Sequence, residues 1–383
     1  MFTSNKSNVK MKSVNLAGIK GHVCIRERLF SEFCFAGNDS LCNFRIVSSN
    51  TDEKCEESNT VPVKNDLSIA QDVAGNWVFR NEKEVRSQFI TCSPDYTTIT
   101  ILESETNKVI LDEITGLLHI PIECLFITHG IISFHASCVE LSGEAICFTG
   151  DSGTGKSTRA KAWVDGLGAE FISGDRPAIR LEEGGNIACG VPWDGKEQIF
   201  RNVERPLKAI LEVRRAPFTR LRRLSYDQAC RMAIRQAFIP MWDPDTAALA
   251  IANVHRLCRT TPVYRLFCGP DVDSAKAVHR ILFEHPEEIQ EELPEMKIKP
   301  GFTLRHVVGE YMVMPTGENI KRFGGSVILN EVSAFIFEQL QKPVSREDLL
   351  TQILAEFDVD EATAAADLDA LLEQFRQMEL LEE

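Results

Sequence analysis

The stretch GDSGTGKST, residues 150–158, decides how the middle of this 383-residue chain folds. It fits the pattern G-x-x-x-x-G-K-[ST] as Gly150, Asp151, Ser152, Gly153, Thr154, Gly155, Lys156 and Ser157, with Thr158 following. Glycines let backbone N–H groups turn inward around phosphate oxygens, where side chains would block the approach. Lys156 is placed to reach β and γ phosphates, and the Ser157 hydroxyl is placed for Mg²⁺. The next helix turns its positive end toward the anion. EAICFTG, residues 144–150, is a short apolar run suited to a buried strand, and TRAKAWVDGL, residues 158–167, reads as a helix. A strand–loop–helix setting makes the motif specific for a nucleotide and leaves the reaction open.

The composition sets the frame. At this length two or three domains are expected. Hydrophobic residues make up 44 % and charged residues 26 %, as in ordinary globular chains. No apolar run approaches a membrane span, and the polar start MFTSNKSNVKMKSVNLAG lacks a signal-peptide core. The expectation is a cytoplasmic protein with no membrane partner. Twelve cysteines, from Cys24 to Cys268, contain no C-x-x-C pair, so free buried thiols are expected rather than a zinc or redox site. A net charge of −14 argues against a nucleic-acid partner. Residues 201–223 are nevertheless basic, with Arg201, Arg205, Lys208, Arg214, Arg215, Arg220, Arg222 and Arg223 against Glu204 and Glu212. They read either as a phosphate-facing surface or as a face that offsets acidic neighbours.

Four regions follow from the pattern. Residues 1–124 read as β-rich, through HVCIRERL, NWVFRN, SQFITC and YTTITILES. Residues 125–285 mix longer apolar strands and helices around the loop. Residues 286–301, PEEIQEELPEMKIKPG, read as a linker. In residues 302–383, TLRHVVGEYMVMPTG reads as paired strands and three amphipathic helices follow. Asn330, Ser345 and either Asp358 or Asp360 are placed to cap them.

The flanks of the loop carry a resemblance. His135 opens HASCVELSGEAICFTG, with a hairpin turn at Ser142–Gly143; FISGDRPAIR, CGVPWDGKEQIFRN and RPLKAILEV follow in order. Residues 125–285 thereby resemble the HPr kinase/phosphorylase family, and in particular a branch found with peptide-modifying enzymes. The resemblance implies an α/β fold like that of phosphoenolpyruvate carboxykinases. It also implies Mg²⁺-dependent transfer of the ATP γ-phosphate to a hydroxyl, often a protein or peptide serine. Such transfer needs charge neutralisation, in-line positioning and a group that takes the hydroxyl proton. Asp175 becomes the candidate for the metal-linked or base carboxylate. Lys156 becomes the neutralising cation, Ser157 and Asp175 the metal residues, and His135 the residue that contacts phosphate or orients the carboxylate. Lys196 and Arg201, with Arg176, are candidates for phosphate or substrate, and Trp193 reads as packing. The family carries two adjacent aspartates where this chain has Gly174–Asp175, so Glu140 or Asp151 is left as the source of a second carboxylate.

Residues 302–383 resemble the PqqD-like family of peptide-recognition elements, across the whole stretch quoted above. That resemblance implies a small winged helix–turn–helix in which a leader peptide adds as a strand at a sheet edge and lies against the last helix. Here the edge is Val327–Leu329, and the facing helix presents Ala364, Leu368, Leu371 and Phe375, several of which must also build the core. Residues 298–383 hold 7 Lys/Arg against 16 Asp/Glu, which opposes DNA binding.

Together the two resemblances imply a kinase for a Ser or Thr hydroxyl of a ribosomally made precursor peptide, working beside other peptide-maturation enzymes. A small-molecule kinase or carboxykinase-like enzyme, and a non-catalytic ATP-gated peptide chaperone, stay open. So does a homo-oligomer.

Overall fold

The computed structural model describes residues 12–24, 34–35, 44–50, 57–63, 67–81, 89–103, 111–193, 199–292, 295–323 and 325–382. The fold is mixed α/β with several sheets. Two compact units divide the chain: Met1–Val213 with Tyr226–Tyr264 and Pro270–Lys276, and Arg214–Ser225 with Arg265–Gly269 and Ala277–Glu383.

The first unit opens with nine strands among the described residues. They are β1 (Lys12–Leu16), β2 (Ile19–Cys24), β3 (Cys34–Phe35), β4 (Phe44–Asn50), β5 (Glu57–Val63), β6 (Leu67–Asp72), β7 (Trp77–Asn81), β8 (Phe89–Cys92) and β9 (Thr98–Glu103). They pair in the order β3-β1-β2-β4-β9-β8-β7-β6-β5. NWVFRN, SQFITC and YTTITILES supply β7, β8 and β9; of HVCIRERL only the end of β2 lies within the described residues. A helix then follows, α1 (Leu111–Thr128), despite Pro121 inside it. One core joins Val14, Ile46, Phe79 and Ile99 of the sheet to Leu118, Leu125 and Phe126 of α1, and to Trp193. The β-rich start therefore shares its core with the region that follows residue 124.

The second sheet of this unit holds the phosphate-loop sequence. Its elements are β10 (Ile131–Ser133), β11 (Ala136–Leu141), β12 (Glu144–Thr149), α2 (Lys156–Leu167), β13 (Glu170–Ser173), β14 (Ala178–Arg180), β15 (Ile187–Cys189) and β16 (Glu204–Arg215). The strand order is β10-β14-β15-β16-β12-β11-β13. Ser142 and Gly143 both take positive φ, 53° and 84°, which matches the twist a two-residue hairpin needs between β11 and β12. β12 is antiparallel to β11 and parallel to β16, and nearly all of it is buried; that accounts for its unbroken apolar run. The chain continues through β17 (Arg220–Arg223), α3 (Tyr226–Gln236), α4 (Pro244–Thr260), β18 (Val263–Cys268) and α5 (Val272–His279). Cys92, Cys124, Cys138, Cys147, Cys189, Cys230 and Cys268 are buried free thiols, and Cys258 is a half-buried one.

In the second unit β17 pairs in parallel with β19 (Gln290–Glu291). Then come β20 (Lys297–Ile298), β21 (Phe302–Val307), β22 (Glu310–Pro315), α6 (Asn319–Phe323), β23 (Val327–Leu329), α7 (Glu331–Gln339), α8 (Arg346–Glu356), α9 (Glu361–Gln377) and β24 (Leu381–Glu382). β21, β22 and β23 form a three-stranded antiparallel sheet with β23 at its edge. The caps are side-chain oxygens that accept an N–H three residues on: Asn330 from Ser333, Ser345 from Asp348, and Asp360, not Asp358, from Thr363. Residues 286–301, expected as a linker, instead carry β19 and β20. β20 pairs with β24, and Met296 and Ile298 sink into the core beside Phe337, Leu349 and Phe375.

The basic stretch 201–223 proves to offset acidic neighbours. In the first unit Arg201 pairs with Glu140 and Glu170, Arg205 with Glu140, and Lys208 with Glu144. In the second, buried Glu347 takes Arg220 at 2.5 Å and Arg222 at 2.8 Å, and Arg214 lies 3.3 Å from Asp348.

Candidate active site

β12 ends at Thr149 and α2 begins at Lys156, so the glycine-rich sequence forms the loop between a buried strand and a helix N-terminus. Two glycines are required by geometry. Gly150 has φ 140°, and a Cβ there would lie 3.3 Å from the Val213 carbonyl oxygen. Gly155, the N-cap of α2, has φ 93°, and a Cβ there would collide with the Arg159 guanidinium. Asp151, Ser152 and Gly153 are exposed at the rim, and Thr158 is exposed on the first turn of α2. Thr154 pins the turn by donating its hydroxyl to the Asp151 carbonyl at 2.9 Å.

Lys156 folds back over this loop. Its Nζ donates to the carbonyls of Gly150 at 3.0 Å and Asp151 at 3.3 Å. Burial lowers its pKa, against the opposing pull of Asp175 and Asp151. The ammonium thus waits inside a backbone cradle where phosphate oxygens would be stronger partners than neutral carbonyls.

β11 lies between β12 and β13, and this order brings His135 and Asp175 together from 40 positions apart. The Ala136 N–H donates to the Asp175 carbonyl at 2.8 Å, and the Thr149 hydroxyl donates to the His135 carbonyl at 2.8 Å. His135 Nε2 stands 3.4 Å from Asp175 Oδ1, with side-chain exposures of 35 % and 33 %, so a substrate can reach both groups. The His135 pKa is lowered, first by burial and then by the Lys156 ammonium, with Asp175 and Gln236 pulling the other way. Arg176 is held by buried Glu123, Nη1 to Oε1 at 3.3 Å, and its Nε lies 4.0 Å from Asp175 Oδ2.

Three residues at the site are absent from the sequence reading. Ser137 donates to the Gly174 carbonyl at 2.6 Å and lies 3.1 Å from the Ser157 hydroxyl. Its signal is its place two residues after His135, at the head of β11. Gln236, at the end of α3, contacts both His135 and Asp151. Glu123 lies on α1 and also accepts from Ser133 at 2.5 Å. Neither of these two carries a local sequence signal.

Other expected residues lie elsewhere. Glu140 pairs in register with Ala145 at the hairpin end of β11, while Ala136 pairs with Thr149 at the loop end. Four strand residues span about 13 Å. With Arg201 and Arg205 on its carboxylate, Glu140 is no second carboxylate for the site. Arg201 pairs with Glu140, Glu170 and the Phe171 carbonyl. Lys196 lies outside the described residues. Trp193 is buried in the core, 5.7 Å from the Phe126 ring. Among the described residues no cluster of three or more His, Cys, Asp or Glu could hold a metal ion. Mg²⁺ bound with nucleotide phosphates needs only one or two protein groups, the role the sequence assigns as an expectation to Ser157 and Asp175.

In the second unit, a cleft of about 420 Å³ opens between α7, the end of α8 and α9, lined by Val332, Ile336, Phe357, Val359, Leu368 and Leu371, with Asp367 and Gln374. Leu368 is fully buried and serves the core, whereas Leu371 is half-buried. On the edge strand β23, Leu329 is buried and Val327 half-buried; Ile328 between them is 60 % exposed.

Residues 310–381 match the family described as coenzyme PQQ synthesis protein D (PqqD), so the C-terminal part of the chain carries a PqqD domain. No curated protein matches the chain. Among solved structures it is similar to TbiB1 in complex with the TbiA(β) leader peptide, at 27 % identity over 22 % of this chain and 94 % of that one, with a TM-score of 0.20. It is also similar to lasso peptide synthetase B1 complexed with the leader peptide, at 19 % identity over 23 % and 99 %, TM-score 0.20. A third is the Hpr(Ser) kinase/phosphatase from Coxiella burnetii, at 10 % identity over 40 % and 90 %, TM-score 0.24. No helix of the described residues is long and apolar enough to cross a membrane.

Proposed function

We propose that this protein transfers the γ-phosphate of ATP to a Ser or Thr hydroxyl of a ribosomally made precursor peptide, and that residues 302–383, as a winged helix–turn–helix, bind the leader. The observation that carries this reading is the His135–Asp175 pair, set by β11 and β13 beside a strand–loop–helix with Lys156 inside it, in a chain that also has a PqqD domain.

The residues divide the work. The loop N–H groups and Lys156 hold and neutralise the phosphates as charge builds on the oxygens. Mg²⁺, when bound with the nucleotide near Ser157 and Asp175, supplies further neutralisation. Ser137 steadies the Ser157 hydroxyl. The acceptor hydroxyl approaches Asp175 and His135. Its oxygen bonds to the γ-phosphorus as the bond from that phosphorus to the bridging oxygen breaks. ADP leaves with the electron pair, and the hydroxyl proton passes to the Asp175–His135 pair. The cleft beside Leu371 and the edge at Ile328 suit an extended apolar leader, with main-chain pairing to β23. Holding the leader raises the effective concentration of the core peptide.

One observation favours a second reading. Gly174 stands beside Asp175 where the kinase pattern has a second aspartate, and with Glu140 occupied at the far end of β11 only Asp151 across the loop is left for that role, an arrangement that also suits a non-catalytic, ATP-gated peptide chaperone. Asp175→Asn separates the two. The kinase loses peptide phosphorylation while ATP affinity stays within a few-fold; a chaperone keeps its ATP-dependent peptide binding and makes no phosphopeptide in either form.

A further inference from the structure

Gln236 is the last residue of α3, 7 % exposed, and 101 positions from His135 in sequence. It grips that histidine twice. The His135 N–H donates to the Gln236 carbonyl at 2.9 Å, and the ring Nδ1 lies 3.1 Å from Gln236 Oε1. The other arm of the same amide faces the phosphate loop, with Gln236 Nε2 3.5 Å from Asp151 Oδ1.

These contacts fix a proton. The two ends of an amide are told apart by their hydrogen-bond partners. A carboxylate only accepts, so the NH₂ of Gln236 faces Asp151 and its oxygen faces the imidazole. An amide oxygen also only accepts, so His135 Nδ1 must carry hydrogen. In the neutral ring Nε2 is then a bare acceptor, 3.4 Å from Asp175 Oδ1. A donor that approaches beside the two acceptors can reach both, and a hydroxyl is such a donor.

We infer that Gln236 is a positioning residue: it holds His135 as the Nδ1–H tautomer, so that Nε2 and Asp175 together present acceptors to the substrate hydroxyl, and it ties this arrangement to the loop through Asp151. The inference rests on the proposed phosphoryl transfer. It separates that site from one in which His135 simply donates Nε2–H to Asp175.

The test is the ¹⁵N spectrum of the full-length protein labelled at histidine, recorded at a single pH where the ring is neutral, with His135 assigned from its absence in His135→Asn. Wild type is expected to give the Nδ1–H tautomer. Gln236→Leu is expected to move the proton to Nε2, toward Asp175, and to lower kcat on the order of 100-fold with KM for ATP unchanged. Gln236→Glu keeps an acceptor facing Nδ1 and is expected to keep the Nδ1–H tautomer, while it loses the donor to Asp151. An Nε2–H tautomer in wild type overturns the inference without any variant. An unchanged tautomer and kcat in Gln236→Leu overturn it while the kinase reading stands. If wild type transfers nothing, yet Gln236→Leu reverses its Nδ1–H tautomer, the kinase reading fails and the positioning role of Gln236 stands.

Discussion

Glu292→Gln should stabilise the second unit at pH 8 and leave it unchanged near pH 5. The Glu292 carboxyl is fully buried, and the nearest cation, Arg265 Nη1, is 3.7 Å away. That guanidinium is shared with Asp348 at 3.2 Å and Glu295 at 3.9 Å. Burial pushes the Glu292 pKa from 4.5 up to about 7; Arg265 opposes the shift, and Asp348 and Glu347 reinforce it. Between these values the folded protein keeps a proton that the unfolded chain has lost. The stabilisation is therefore complete below pH 4.5 and lost as pH rises through 7. At 1.36 kcal/mol per pKa unit, the loss is about 3 kcal/mol. Gln is the uncharged isostere, so it keeps the stability that wild type loses. The assay is hydrogen exchange by mass spectrometry on peptides from residues 331–377, variant against wild type at equal pH. Exchange in the variant should be slower by roughly 100-fold at pH 8 and nearly equal at pH 5. Faster exchange in the variant at pH 8 would refute the reasoning, because the ion pair with Arg265 would then outweigh the desolvation of the carboxylate.

Other changes follow from the same geometry. Lys156→Ala removes the loop ammonium and should weaken ATP binding by about 10- to 100-fold in calorimetry, in line with 1.5–3 kcal/mol for a charged hydrogen bond. Glu140→Gln should leave peptide phosphorylation within about two-fold of wild type while lowering Tm, since it loosens Arg201 and Arg205 far from the loop. Leu371→Asp places a charge in the apolar cleft and should weaken leader binding by about ten-fold or more in fluorescence anisotropy, with phosphorylation of a leaderless acceptor unaffected.

Local rules made part of this molecule legible. The strand before residues 150–155 and the helix after them are both local signals, so that setting needed no tertiary information. Helix caps are equally local, and Asn330, Ser345 and Asp360 do what their side chains predict. α1 was hidden because Pro121 reads as a breaker and LLHIPIECLFIT is apolar on every side; burial of Leu118, Ile122, Leu125 and Phe126 outweighs propensity. Glu140 looked suitable by proximity in sequence, but the hairpin register carries it to the wrong end of β11. Arg201 looked free, and its partners Glu140 and Glu170 come from neighbouring strands. Gln236 and Glu123 reach the site only through packing of α3 and α1, which no linear motif encodes. Residues 286–301 looked polar enough for a linker, yet Met296 and Ile298 were sufficient to anchor them.

The most direct measurement is intact-mass spectrometry of a precursor peptide that has a Ser or Thr in its core and a leader the protein binds, after incubation with the full-length protein and MgATP. The account predicts a peptide heavier by one phosphoryl group, with the gain absent when Asp175→Asn replaces wild type. A peptide that binds the protein and keeps its mass would contradict transfer and put the ATP-gated chaperone in its place.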